Sequence, residues 1–274
     1  MTKRAAVVGH PISHSRSPAL HRAAYQACGL DWSYQAIDLA EADFPAFVRQ
    51  LDSSWAGLSI TMPLKRLAAE SADHLEGLTK SLGVANTILF GPAGAVAVNT
   101  DVHGIVAALK EAGLPPGPAT ILGGGATAAA ALAAVAQLGV SDQVVWARSA
   151  ARSRELLAAA ARMGLKPGLR KLRQDGPGDW PAPLVIATLP PTAADGLARR
   201  LAAATAAGVN PVPEGGVLLD VAYDPWPSAL AEAWQAGGGK VVSGLSMLLH
   251  QAAEQFRLMT GLAAPLEAMR AALR

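Results

Sequence analysis

A chain of 274 residues is long enough to hold two domains with separate cores. Hydrophobic residues make up 51% of it, which excludes a disordered chain. A formal net charge of +2, with basic residues scattered along the sequence, excludes a nucleic-acid-binding surface.

The opening Met1-Thr2-Lys3-Arg4 lacks the long apolar core of a signal peptide and leads into a short strand, Ala5 to Gly9. Ser17-Pro18 predicts a helix start, with Ser as cap and Pro in the first turn, and Gly29 closes that helix. Trp32 to Ile37 alternates as a second strand. Ala42 to Leu51 reads as a helix and Ala56 to Thr61 as a third strand, and Pro63 or Leu64 begins another helix. Val84 to Phe90 and Ala95 to Val98 flank Gly91-Pro92-Ala93-Gly94, a hairpin turn. Asp101 to Ala112 is a predicted helix, and Leu114 to Pro118 a stiff linker.

Beyond the linker the pattern becomes a βαβα series: strand 119–122, helix 126–138, strand 143–147 and helix 150–163. Leu184 to Ala187 and Val217 to Val221 are short apolar runs of the kind that form buried parallel strands. Ser228 caps a helix that stops at Gly237-Gly238-Gly239, and Val241-Val242 is a last strand. Met247 to Thr260 forms a long helix, followed by a short one from Pro265. No charged residue occurs from Ala112 to Ser141, a stretch long enough to cross a bilayer. Its prolines, three central glycines and alanine-rich remainder fit a strand, a tight turn and a buried helix better, so no membrane association is expected.

Cys28 is the only cysteine, so no internal disulfide can form, which fits a reducing, cytoplasmic setting. Its expected role is that of a small buried hydrophobe. The six histidines (His10, His14, His21, His74, His103 and His250) fall in no ligand motif, and no metal site is expected.

Gly123-Gly124-Gly125-Ala126-Thr127-Ala128 fits G-x-G-x-x-G/A between a strand and a helix. In that motif the first glycine permits the turn and the second lets backbone approach a pyrophosphate. The small third residue lets the helix pack close to the sheet. Free N–H groups at the helix start then face the phosphates. At the end of the next strand an NAD site usually places Asp or Glu. This chain has Ala147-Arg148-Ser149, then Arg152 and Arg154, which suit a 2′-phosphate, so NADP is the expected cofactor.

Upstream, Ser15 and Ser17 put hydroxyls at a helix start, where they can hold a small carboxylate. Lys65 follows a strand end and a proline, and Asp101 ends a strand and begins a helix. Hydride transfer to a carbonyl leaves an alkoxide that needs a proton, which a Lys/Asp pair can supply. Spacing alone does not single out this pair among the other lysines and aspartates.

Over nearly its whole length the sequence resembles the shikimate dehydrogenase family. Gly9-His10-Pro11-Ile12-Ser13-His14-Ser15-Arg16-Ser17-Pro18 is similar to the opening motif whose two serines bind the substrate carboxylate. Thr61 and Lys65 match T-x-P-x-K, where Lys is the acid/base, and Asn99-Thr100-Asp101 matches N-T-D, whose Asp pairs with it. Asn86 matches an Asn that binds ring hydroxyls, and Gln251 and Tyr223 match substrate-side residues. Val221 and Gly244 match positions near the nicotinamide.

The chain departs from the family pattern at Ser59, where Asn is frequent, and at Ala147-Arg148-Ser149, where N-R-T is usual. It departs also at Ser246 and Ala126, where Gly is common. The resemblance implies an α/β protein of two domains. Residues 1–101 plus 244–274 would form an α/β substrate domain to which the C-terminal helices return. Residues 102–243 would form a Rossmann-like, doubly wound NADP-binding domain. The implied reaction is NADPH-dependent, reversible reduction of 3-dehydroshikimate to shikimate, a step toward chorismate and the aromatic amino acids. A homodimer is compatible with it. The alternatives are a quinate or aminoshikimate dehydrogenase of the same fold, or a non-catalytic shikimate-sensing regulator.

Overall fold

The computed structural model describes residues 2–149, 151–172 and 182–274, and the side chain of Arg152 lies outside this description. The chain divides into two compact units, residues 1–104 with 248–274, and residues 105–247. The predicted boundaries fall a few residues earlier, at 101 and 243.

The first unit contains β1 (Lys3–Gly9), α1 (Ser17–Ala27), β2 (Trp32–Asp38), α2 (Phe44–Arg49), β3 (Trp55–Ile60) and α3 (Lys65–Ser71). It continues through β4 (His74–Leu75), α4 (Gly77–Leu82), β5 (Thr87–Gly91) and β6 (Gly94–Val98) to the start of α5 (Asp101–Ala112). Its sheet runs β2-β1-β3-β5-β6-β4. Strands β2, β1 and β3 are parallel, whereas β5 is antiparallel to both β3 and β6. Successive residues of β1 serve opposite faces, as the pleat dictates. Ala5 and Val7 pack with Leu20, Tyr25, Tyr34 and Phe256, while Ala6 and Val8 pack with Phe44, Leu58, Leu64 and Ile88.

The second unit contains β7 (Ala119–Leu122), α6 (Ala126–Gln137), β8 (Gln143–Ala147), α7 (Arg154–Arg162), β9 (Gly168–Lys171) and β10 (Leu184–Ala187). After these come α8 (Asp195–Ala206), β11 (Val217–Asp220), α9 (Ala229–Ala236) and β12 (Lys240–Ser243). All six strands are parallel, in the order β12-β11-β10-β7-β8-β9. Counted from β7 this is the doubly wound dinucleotide-fold order, whose topological switch point lies between β7 and β10. Every residue of β7, β10 and β11 is buried, which accounts for their unbroken apolar runs. The uncharged stretch 112–141 becomes β7 and the buried α6, and no described helix is long and apolar enough to cross a membrane. The last helices are α10 (Gly244–Thr260) and α11 (Leu266–Ala271).

Two expectations need correction, and four elements were not expected. Ser17 is not the cap of α1 but its first residue, after Arg16, and no side chain caps that end. Helix α10 begins at Gly244, three residues before the predicted Met247. Helices α4 and α8 and the short strands β4 and β9 escaped the sequence reading. Every residue of β4 and β9 is exposed, so neither carries a burial pattern to read. Ser228 does cap α9, accepting from the Ala231 N–H at 3.0 Å.

Candidate active site

In the first unit the ends of β1 and β3 lie side by side, with Val8 opposite Ile60. Gly9 makes that approach workable. A Cβ there would overlap the Thr61 methyl group and lie 2.8 Å from the Met62 carbonyl oxygen. The Thr61 N–H donates to the Val8 carbonyl at 2.9 Å, and the chain then turns into α3, of which Lys65 is the first residue. The Ala85 N–H donates to the Lys65 carbonyl at 2.9 Å, which fixes the lysine backbone beside Asn86.

Lys65 Nζ donates to Asp101 Oδ2 at 2.5 Å, with side-chain exposures of only 16% and 7%. Asp101 opens α5, and its other oxygen accepts from Asn86 Nδ2 at 2.8 Å. Asn86 Nδ2 is also 3.2 Å from Gln251 Oε1, on α10. Gln251 is steadied by donating from Nε2 to the Leu248 carbonyl at 3.0 Å. Asn99 accepts from the Asp101 N–H at 3.1 Å and donates to the Val84 carbonyl at 3.1 Å, which locks the start of α5. Four residues far apart in sequence thus share one buried polar cluster. A carboxylate on one side of the ammonium leaves its remaining protons to be offered elsewhere.

Ser15 and Ser17 belong to the same unit. The Ser17 N–H lies 3.4 Å from Ser15 Oγ, and the buried Ser17 side chain lies close to the Tyr34 hydroxyl. Tyr34 in turn donates to Ser59 Oγ at 2.6 Å. The loop carrying these serines is tied to β2 by Asp38, which meets His10 Nδ1 at 2.6 Å and the Ile12 N–H at 3.3 Å. The His10 contact holds the Asp38 carboxyl below the usual carboxylate range.

In the second unit the strand ends are in register, so Gly123, Arg148, Thr188, Val221 and Gly244 all emerge at the carboxyl edge of the sheet. Gly123 has φ +129°, and a Cβ there would overlap Thr188 Oγ1. A Cβ on Gly124 would lie 2.8 Å from Ser153 Oγ and 3.4 Å from the Ala147 Cβ. Gly125 precedes α6, whose first residues Ala126 and Thr127 are half-buried. Glycine is therefore required at 123 by both conformation and space. The turn leaves backbone N–H groups bare at the start of a 12-residue helix, which fits a pyrophosphate. Arg148 and Ser149 are exposed just past β8, the positions in sequence where an NAD site would carry a carboxylate. Val221 and Gly244 lie together, since a Cβ on Gly244 would overlap the Val221 carbonyl oxygen. Tyr223 is half-buried in the same unit.

The sequence reading missed Gln255, Tyr34 and His21, and noticed Ser59 only as a departure from a pattern. Gln255 had a signal, since it follows Gln251 by four residues on one helix and so shares its face. Thr188 and Ser153, which line the glycine turn, were also missed. Among the described residues no group of three His, Cys, Asp or Glu side chains could hold a metal ion.

Residues 7–88 match the family described as the shikimate dehydrogenase substrate binding domain. Residues 244–274 match the shikimate 5′-dehydrogenase C-terminal domain. The shikimate dehydrogenase (NADP(+)) of Methylobacterium radiotolerans is 35% identical, covering 95% of this chain and 92% of that one. A shikimate dehydrogenase (NADP(+)) of Thermus thermophilus is 36% identical, covering 94% and 93%. Among solved structures, the shikimate dehydrogenase of Mycobacterium tuberculosis aligns with a TM-score of 0.86 at 42% identity, covering 99% of this chain and 98% of that one. A Thermus thermophilus shikimate 5-dehydrogenase in complex with NADP(H) and shikimate aligns at 0.81 and 31% identity, covering 98% of each. The lysine–aspartate cluster, the glycine turn and these likenesses together mean that the chain belongs to the shikimate dehydrogenase family.

Proposed function

We propose that this protein catalyses the reversible, NADPH-dependent reduction of 3-dehydroshikimate to shikimate. The observation that carries the reading is the Lys65–Asp101 pair at 2.5 Å, held by Asn86 in a largely buried setting. In the reductive direction the ammonium of Lys65 gives a proton to the oxygen of the former keto group, and in the oxidative direction it takes that proton back. Asp101 keeps the lysine side chain in one place and balances its charge. Asn86, by donating to Asp101 Oδ1, keeps the carboxylate turned with Oδ2 toward the lysine. Fixing these groups in advance is where such a site gains much of its rate.

Ser15 and Ser17 are assigned to the substrate carboxylate, and Thr61, Asn86, Asp101 and Gln251 to its ring hydroxyls. NADPH bound at Gly123-Gly124-Gly125-Ala126-Thr127 would supply the hydride. Arg148, with Ser149 and Arg152, is assigned to the 2′-phosphate. Tyr223 on the substrate side, and Val221 and Gly244 beside the nicotinamide, rest on the family likeness alone. A cytoplasmic setting and a homodimer complete the proposal, the first on the single Cys28.

The test is a substrate and cofactor panel on purified protein, read by nicotinamide absorbance. Turnover of shikimate with NADP, well above that of quinate or of either substrate with NAD, is the expected result. A preference for quinate with NAD would replace this reading by its nearest alternative. Binding of shikimate without turnover would indicate a sensor.

A further inference from the structure

The hydrogen bonds around Asn86 have a direction, set by two backbone groups whose roles are not in question. The Thr100 N–H lies 2.7 Å from Asn86 Oδ1 and can only donate, so that atom is the acceptor end of the amide. Thr87 Oγ1, 3.0 Å from the same oxygen, must then donate to it. The Asn86 carbonyl can only accept, so the Gln255 atom 3.2 Å away is its Nε2, which also donates to Thr87 Oγ1 at 2.9 Å. Gln255 Oε1 is left facing Ser59, whose hydroxyl donates to it at 2.7 Å and accepts from Tyr34 at 2.6 Å. His21, stacked on Tyr34 at 4.1 Å, meets the same Oε1 at 3.4 Å and therefore carries its proton on Nε2.

We infer that Gln255 is a positioning residue. It orders a one-way hydrogen-bond chain that ends with the Asn86 amide protons turned toward Asp101. Gln255 is 1% exposed and touches neither Lys65 nor Asp101 in the hydrogen-bond network, so it acts only through Asn86 and Thr87. Without it the Thr87 hydroxyl is no longer obliged to donate to Asn86 Oδ1. The asparagine amide then loses one of the contacts that prevent its rotation. Buried chains of this kind are worth more intact than pairwise removal suggests.

The role in catalysis rests on the proposed dehydrogenase activity, and the first readout does not. The chain has three asparagines, at 86, 99 and 210, so full-length protein labelled with 15N-asparagine gives three pairs of side-chain amide proton signals. In Gln255→Met and in the near-isosteric Thr87→Val, the Asn86 amide protons are expected to exchange with solvent about tenfold faster. Those of Asn99 and Asn210 should stay as they were. Unchanged exchange at Asn86, or equal acceleration at all three, overturns the inference whatever the protein reduces.

In the activity assay each variant should lower kcat for shikimate about tenfold, with the NADP KM moving less than about twofold. Either change added to Asn86→Ala should cost nothing further. Losses that simply multiply would make Gln255 a structural residue and overturn the positioning role. An inactive parent enzyme would instead count against the proposed function, and the exchange readout would still decide the question of Gln255.

Discussion

Lys65→Met separates the chemistry of the ammonium from its part in stability. Methionine keeps most of the aliphatic stem and removes the proton donor 2.5 Å from Asp101. General acid–base groups contribute about 10²–10⁴ in rate, so kcat should fall at least about 100-fold, some 2.7 kcal/mol of barrier. The aspartate is 7% exposed and would lose its counter-charge while keeping the Asn86 Nδ2 contact at 2.8 Å. Stranding one partner of such a pair costs about 3–5 kcal/mol. The low end, about 3 kcal/mol, applies because the lysine side chain is still 16% exposed. Adding Asp101→Asn removes the stranded charge and leaves an amide oxygen for Asn86 to donate to. The double variant should therefore recover most of the lost stability and none of the turnover. Chemical denaturation measures the first quantity, and steady-state oxidation of shikimate by NADP the second. Turnover of Lys65→Met within tenfold of the parent would refute the proton-transfer role. So would a double variant that regains activity along with stability.

Three further outcomes follow from other parts of the structure. Arg148→Ala should raise the NADP KM by about tenfold or more, the worth of one charge-assisted hydrogen bond, and the NAD KM by less than about twofold. Equal changes would remove the 2′-phosphate role. Gly123→Ala should destabilise the second unit by about 1–3 kcal/mol, because of its φ of +129° and the overlap with Thr188 Oγ1. Gly125→Ala, where an added methyl meets nothing within 4 Å, should cost far less in thermal unfolding, and equal losses would contradict the steric account. Burial holds the His21 imidazole down to about 4 from 6.5, against a smaller opposing effect of Gln255. The unfolded chain therefore binds the extra proton first, and stability should fall as pH drops from 6.5 toward 4, by about 3 kcal/mol. Above pH 6.5 His21 adds no pH dependence, and His21→Phe should flatten the acid slope in urea titrations. A slope unchanged by that substitution would show that other groups cause it.

What the sequence reveals follows the range of the physics involved. The Gly123 turn is legible because its requirements are local: a strand, three glycines and a small residue opening a helix. Arg148 is legible because it sits at a fixed distance beyond the following strand. Lys65 and Asp101 are individually visible at element boundaries, but nothing local pairs them. The pair becomes definite only when the starts of α3 and α5 are brought together, and it was the family resemblance that selected it beforehand. The cap of α1 was misread because Ser17 is already the first residue of the helix, buried close to Tyr34, so its hydroxyl caps no N–H of that helix. Helix α8 was missed although Leu197, Ala198 and Leu201 form a buried stripe at helical spacing.

The buried chain through Gln255 was the least legible, for a reason that also explains its value. A polar side chain in a helix reads as a surface residue unless its partners are known. Here those partners are Ser59 on β3, Thr87 on β5 and the backbone of Asn86, which are distant from α10 in sequence. Packing with apolar side chains would fill the same space but would fix no amide orientation, since dispersion does not distinguish an oxygen from an NH2 group. Only donors and acceptors do, and only when the chain ends on groups that cannot exchange roles. The Thr100 N–H and the Asn86 carbonyl are such groups, and both belong to the backbone. A buried network anchored on backbone at the Asn86 end specifies one proton arrangement. An acid/base pair such as Lys65 and Asp101 needs that specification more than it needs additional packing.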